Sequence, residues 1–231
     1  TEQLEIKSDT SGYSSLNNSE LSAKWSTNSF PLNIRYDQNF EQSEIDASVN
    51  AALAWENSID NSVTLFDINY QTIAPDYSKL NQFDDNQLGI YKIDSWPEDL
   101  PQTALAVTQV FGDKIKSSGE TIIRIDHADI LVNYDLYTFV TDGTWGYDLE
   151  SILLHEMGHF LGLKHNNQSS KESVMYPSIS KYDVARTPKS QDVIDLYDLY
   201  PSLNQRSIAS SSIYDGDTTE ENLGRVTLQL E

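Results

Sequence analysis

The 231-residue chain contains no cysteine. No disulfide can brace it, and no thiolate can act as nucleophile, metal ligand or latency switch. Basic residues are scarce: 15 lysines and arginines stand against 36 acidic residues, a formal charge of −21. Such a field repels phosphates, so nucleic acids and anionic membranes are excluded as partners. The acidity reads as a well-solvated surface rather than as a site for basic ligands. No apolar run approaches the ~20 residues that a membrane-spanning helix needs. No internal repeat is present, and the length allows one large domain with extensions and a sizeable core. Histidine occurs only 4 times, and three of the four fall between positions 155 and 165.

That stretch is Leu154-His155-Glu156-Met157-Gly158-His159-Phe160-Leu161-Gly162-Leu163-Lys164-His165, of the form H-E-x-x-H-x-x-G-x-x-H. His155 and His159 lie four apart, so on a helix they share one face and can hold one metal. Glu156 directly follows the first of them, where a carboxylate can reach a metal-bound water without ligating the metal. Gly162 allows a tight or left-handed turn that ends the helix and brings His165 back. Three neutral imidazoles with one open position are the ligand set of a catalytic zinc rather than of a closed structural one. As ordinary surface histidines they would require five fixed positions to coincide, which at uniform odds happens in roughly one chain of this length in 10⁴.

The stretch from His155 to His165 resembles the metzincin zinc signature, and Ser173-Val174-Met175-Tyr176-Pro177 resembles the Met-turn that follows it. The Met-Tyr-Pro form, with Asn166 after the third histidine, is more similar to matrixins than to astacins. Ala128, Asp129, Ile130, Leu131, Val132 and Asn133 resemble the edge strand that bacterial matrixin-like domains place above the zinc, and residues 192–200 resemble their closing helix. The resemblance spans about residues 25–201, leaving extensions at 1–24 and 202–231.

What it implies is an α+β, metzincin-like catalytic domain. A twisted, mostly parallel sheet with an antiparallel edge strand would pack on the zinc helix and a second long helix, with a further helix at the C-terminal end. The implied activity is that of a zinc endopeptidase. One catalytic zinc would sit on His155, His159 and His165, with Glu156 as general base and Met175 as a floor beneath the imidazoles. A protein or peptide substrate would add as a strand along Ala128 to Asn133, beside a pocket wall of Tyr176, Pro177, Ser178 and Ile179. Animal matrixins often carry Tyr where this chain has Ile179, and they bind a second, structural zinc through further histidines. Here only His127 precedes the zinc helix, so one zinc is expected. The resemblance also implies a monomer that is secreted, at the cell surface or periplasmic, in mature form without a signal peptide. The rival reading is a non-catalytic peptide-binding or surface-interaction domain of the same fold. Such a domain would be expected to lose Glu156 or a ligand, and this chain keeps all four.

The rest of the chain reads as strands and helices around that centre. Leu4 and Ile6 have strand period within the polar N-terminal extension. Leu32, Ile34 and Tyr36 alternate as a first strand, and Ser43 with Asp46 three on opens a helix to about Ile59. Its apolar face is Ile45, Val49, Ala52, Leu53 and Trp55. A second strand covers 63–68 and a third 88–93. The acidic loop between them, with Asp76, Asp84 and Asp85, offers oxygen ligands for calcium, though at no EF-hand spacing. Two β-rich runs at 104–116 and 121–134 flank a hairpin turn. Asp148 is placed to cap the zinc helix at Ser151. A closing helix runs from about Ser190 to Tyr200, with Asp192, Asp195 and Asp198 on its solvated face and Val193, Leu196, Leu199 and Tyr200 inward. Val226, Leu228 and Leu230 have strand period in a segment too short to stand alone, so it needs an existing sheet edge or the strand-like piece at Leu4 and Ile6. Either the ends support the domain away from the cleft or one of them lies in it and holds the protein latent.

Overall fold

The computed structural model describes residues 21–59, 63–74, 87–117, 119–167, 172–204 and 220–230. The strands are β1 (Ala23–Trp25), β2 (Leu32–Asp37), β3 (Phe66–Asp67), β4 (Thr72–Ile73), β5 (Leu88–Ile93), β6 (Ala106–Ser117), β7 (Glu120–Asn133), β8 (Phe139–Val140), β9 (Tyr147–Asp148) and β10 (Glu221–Leu230). The α-helices are α1 (Gln42–Glu56), α2 (Leu149–Phe160) and α3 (Ser190–Leu199). Eight strands form one sheet in the order β10-β6-β7-β5-β2-β3, with β1 added on β7 and β4 on β2. The pairings from β7 through β5 and β2 to β3 are parallel, and those of β6 with β7 and β10 with β6 are antiparallel. The fold is α+β and the sheet mostly parallel; β6 is its one antiparallel strand, as expected, but β10 lies outside it and runs in the same direction as β7, so β6 is not the edge.

Alternation along the strands builds a core on each face. Ile90, Ala106, Val110, Ile130 and Val132 point into the larger cluster, shared with α1 and α2. Tyr91, Val107 and Leu131 point the other way, onto Trp96 and Leu100. Trp55 locks the two helices together: its ring is fully buried and its Nε1 donates to the Leu154 carbonyl at 2.9 Å.

Local chemistry moved some boundaries. Helix α1 begins earlier than the Ser43 signal suggested, because Glu41 is its N-cap and the Glu44 carboxylate accepts the Glu41 N–H at 2.7 Å. Leu53 was expected on the inward face and is 41% exposed. It precedes Trp55 by two residues, which is ~160° round the helix from it. The expected strand 63–68 shrinks to β3, since the N–H groups of Leu65 and Phe66 donate to Glu56 at 2.5 and 2.7 Å. The calcium expectation at Asp76, Asp84 and Asp85, and the strand expected at Leu4 and Ile6, lie outside the described residues. Among the described residues no helix is long and apolar enough to cross a membrane.

One phenol ties β1 and α3 to the end of α2. Tyr200, fully buried at the end of α3, donates to the Leu161 carbonyl at 2.7 Å and accepts the Trp25 N–H at 3.0 Å. Trp25 in turn donates its indole N–H to the Phe160 carbonyl at 2.7 Å. Replacing Tyr200 by Phe strands a buried donor and a buried acceptor, a change worth ~1–3 kcal/mol. Urea unfolding of Tyr200→Phe is therefore expected to give a lower midpoint at unchanged slope.

Candidate metal centre

Helix α2 is anchored before its histidines begin. Asp148 caps it, accepting the Ser151 N–H at 3.1 Å, and Arg186 donates its Nε–H to the same carboxylate at 2.9 Å. Burial alone would raise the Asp148 pKa, but the Arg186 guanidinium and Ser151 outweigh it and hold the carboxyl below its usual range. At the other end the Gly162 N–H reaches the His159 carbonyl (2.8 Å) and the Leu163 N–H reaches the Gly158 carbonyl (2.9 Å). This pair of bonds closes the helix with Gly162 at φ +97. A Cβ there would lie 2.1 Å from the Ala23 carbonyl oxygen, so both the backbone angle and the packing require glycine.

The turn swings His165 back beside His155 and His159. One ring nitrogen of each lies within 4.8 Å of the others. His155 Nδ1 is 2.7 Å from the Val174 carbonyl oxygen and His159 Nδ1 is 2.8 Å from that of Leu163. With Nδ1–H donating to a carbonyl, the lone pair of each Nε2 is left for a metal. His155 Nε2 and His165 Nε2 stand 3.2 Å apart, and His159 Nε2 is buried with no hydrogen-bond partner among the described residues. A buried polar atom left in that state points to a missing ligand. Burial, reinforced by His165, pushes the His155 pKa down to about 4. Burial alone does the same for His165, and burial with its two neighbours sends His159 well below its ordinary value. All three are neutral at pH 7, the form a metal ligand must have. A three-imidazole donor set of this kind fits zinc.

Glu156, which follows His155 in α2, is buried, and its Oε2 accepts from the Thr108 hydroxyl of β6 at 2.6 Å. No pattern in the sequence singled out Thr108. Met175 is buried behind the cluster, and a Cβ on Gly158 would lie 2.2 Å from its sulfur, so the helix carries glycine where the Met-turn leans on it.

The Met-turn itself hangs on Asp192. Expected on the solvated face of α3, this residue is fully buried. It accepts from Ser173 Oγ (2.5 Å), the Val174 N–H (3.0 Å) and the Lys189 N–H (2.6 Å), while Ser173 Oγ also accepts the Met175 N–H (2.9 Å). Asp192 thus sets the carbonyl of Val174 that orients His155. The one available signal was its position in the first turn of α3, where a carboxylate reaches back to the N-cap N–H.

The expected substrate strand needs correction. Ala128, Asp129, Ile130, Leu131, Val132 and Asn133 are not at an edge: β7 pairs with β6 on one side and β5 on the other, and all six side chains are buried. β6 reaches α2 through Thr108 and Glu156, and its side away from β7 carries β10. Tyr176 and Ile179 are half-buried, with Pro177 and Ser178 exposed. His127 bonds Asp129 at 2.9 Å within β7 and is not part of the histidine cluster.

With this geometry in view, the comparisons with known proteins are specific. A family model described as Matrixin matches residues 24–201. Matrix metalloproteinase-20 of Homo sapiens is 29% identical over 157 residues, 67% of this chain and 27% of that protein. Metalloendoproteinase 2-MMP of Arabidopsis thaliana is 48% identical over 50 residues, 22% of this chain and 12% of that protein. Metalloendoproteinase 1-MMP of the same plant is 41% identical over 68 residues, 28% and 18% respectively. The chain therefore spans less than a third of the length of each of these relatives. Coming from a mammal and a plant, they support the family and not a bacterial subgroup of it.

Asp192→Ala is expected to lower stability by ~2–4 kcal/mol, because it leaves buried donors unpaired. It should also weaken zinc binding ~10-fold or more by freeing the carbonyl that orients His155. Competition with a chromophoric chelator reads the second effect; an unchanged zinc affinity would detach the Met-turn from the metal centre.

Proposed function

The chain belongs to the matrixin family, and from that premise we propose that it is a zinc-dependent endopeptidase that hydrolyses peptide bonds of proteins. The observation that carries the reading is the convergence of three neutral imidazoles around His159 Nε2, unpartnered among the described residues, with the buried Glu156 directly after His155. Zinc on His155, His159 and His165 would supply Lewis-acid polarisation of the scissile carbonyl and a more acidic water. Glu156 takes the proton of the attacking water and returns it to the leaving amine. Thr108 holds the Glu156 carboxylate in place from β6, and the Val174 and Leu163 carbonyls hold the rings. Met175 fills the space beneath them.

An extended substrate would lie along the outer side of β6, the strand that touches Glu156, with Ala128 to Asn133 supporting β6 from within the sheet. Tyr176, Pro177, Ser178 and Ile179 would wall the side-chain pocket next to the metal. Family membership supports a protein substrate and action outside the cytoplasm, as a secreted, cell-surface or periplasmic protein. A metal that merely held the fold would leave the buried Glu156 carboxyl without a reason, and burying a polar group is costly.

Glu156→Gln is expected to keep zinc and fold while lowering casein turnover by ~10²–10⁴. Retained proteolysis in the zinc-loaded variant would sink the assigned base. For the parent protein, zinc at 100 times its Kd should add ~2.7 kcal/mol to the folded state. Thermal midpoints that coincide with and without a chelator would therefore count against a tightly held metal.

A further inference from the structure

The family match ends at residue 201, yet a segment beyond it is built into the sheet beside the metal centre. β10 pairs antiparallel with β6 from Glu221 opposite Lys116 to Leu230 opposite Thr108, with one irregularity between Asn222 and Gly224. It therefore runs toward α2, and Leu230 stands across from the residue whose hydroxyl holds Glu156. Directly opposed residues of an antiparallel pair share a face, with Cβ atoms ~4.5–5.5 Å apart. Leu228, opposite Val110, is buried in the main core, and Val226 and Leu230 pack against the same cluster. Thr227 and Gln229, alternating with them, turn to the other face.

Beyond the backbone ladder, the side chains hold this strand lightly. Of its described side chains only Leu228 is buried. Its ion pairs, Arg225 with Asp113 and Asp126, join partly exposed groups, which contribute little in water. What β10 supplies most fully is a backbone ladder and three aliphatic side chains at alternate positions, the same features with which a peptide adds to a sheet edge.

We propose that Glu221–Leu230 is the resident occupant of the peptide-docking edge. On this reading the β6 edge from Thr108 to Lys116 takes an extended segment with aliphatic side chains at alternate positions, and β10 fills it until another segment displaces it. The identity of the competitor as a substrate rests on the endopeptidase reading; the docking edge itself does not. Any peptide that needs this edge meets a site available only in the fraction of molecules from which β10 has detached, and its apparent affinity falls by that fraction.

The absence of cysteine makes the test clean. Gln109 and Gln229 are directly opposed, so Gln109→Cys with Gln229→Cys in the full chain introduces one cross-link that clamps β10 next to the metal centre. Two quantities are read on the oxidised protein and again after reduction by a phosphine. One is the initial rate of casein cleavage; the other is the binding of a fluorescein-labelled peptide with the sequence of residues 221–230, by anisotropy. The clamped form is expected to be at least ~10-fold slower and to bind the probe at least ~10-fold more weakly, as a site closed in most molecules requires. A probe with Asp at the two positions of Leu228 and Leu230 should not bind either form. Leu228→Asp in the full chain, checked for fold by circular dichroism, should by itself raise both rate and probe affinity over the parent. Probe binding that opens on reduction without casein cleavage in either form would keep the docking edge and discard the endopeptidase reading. Casein cleavage and probe binding that are the same in both redox forms, or a folded Leu228→Asp protein equal to the parent in both, would overturn the proposal.

Discussion

Two hydrogen bonds from imidazole rings to backbone carbonyls, His155 to Val174 and His159 to Leu163, set the direction of the nitrogens left over. Much of the fold can be understood as keeping those two carbonyls where they are. The Leu163 carbonyl is placed by the left-handed turn at Gly162, which fits only because glycine has no Cβ to strike the Ala23 carbonyl of β1. The Val174 carbonyl is placed by the Met-turn, which α3 holds through the buried Asp192. Tyr200, at the end of the same helix, bonds Leu161 and β1. The carbonyl of Val174 and the turn after α2 are thus tied to α3, and the histidines inherit their order from it.

The sheet contributes from the other side. β6 does double duty: its inward face fills the core through Ala106 and Val110, and Thr108 between them reaches Glu156. A buried carboxyl without such a donor would be costly to keep, and the bond fixes its orientation. The long hairpin of β6 and β7 gives this strand its stiffness, with a bulge between Phe111 and Gly112 adding local twist. β7 is the centre of the structure rather than its margin, since it also carries β1 and β5.

Among the described residues no acidic side chain joins the cluster of three histidines itself. The acids work instead as local connectors: Glu44 at the start of α1, Glu56 under β3, Asp148 at the start of α2 and Asp192 under the Met-turn. Each accepts backbone N–H groups that would otherwise be left unpaired. In a chain with no disulfide, these charge-assisted bonds take over part of the bracing.

The sequence by itself determined the features that depend on short-range spacing. The histidine and glutamate positions of α2, its Asp148 cap, the left-handed turn at Gly162, the third strand at Leu88–Ile93 and the hairpin of β6 and β7 all follow from periodicity, capping and turn chemistry within a few residues. It also indicated that the segment around Val226, Leu228 and Leu230 needed a strand partner, either a sheet edge or the other end of the chain. Only the tertiary structure decided which partner that is, that Ala128 to Asn133 lies inside the sheet, that Thr108 serves Glu156 and that Asp192 is buried. The reason is physical. Alternation says that a strand has two faces but not which neighbours flank it, and an aspartate on a helix looks the same whether its partners are waters or N–H groups from a distant turn. Strand order and polar pairing across more than a dozen residues are settled by which elements meet, and no local pattern encodes that.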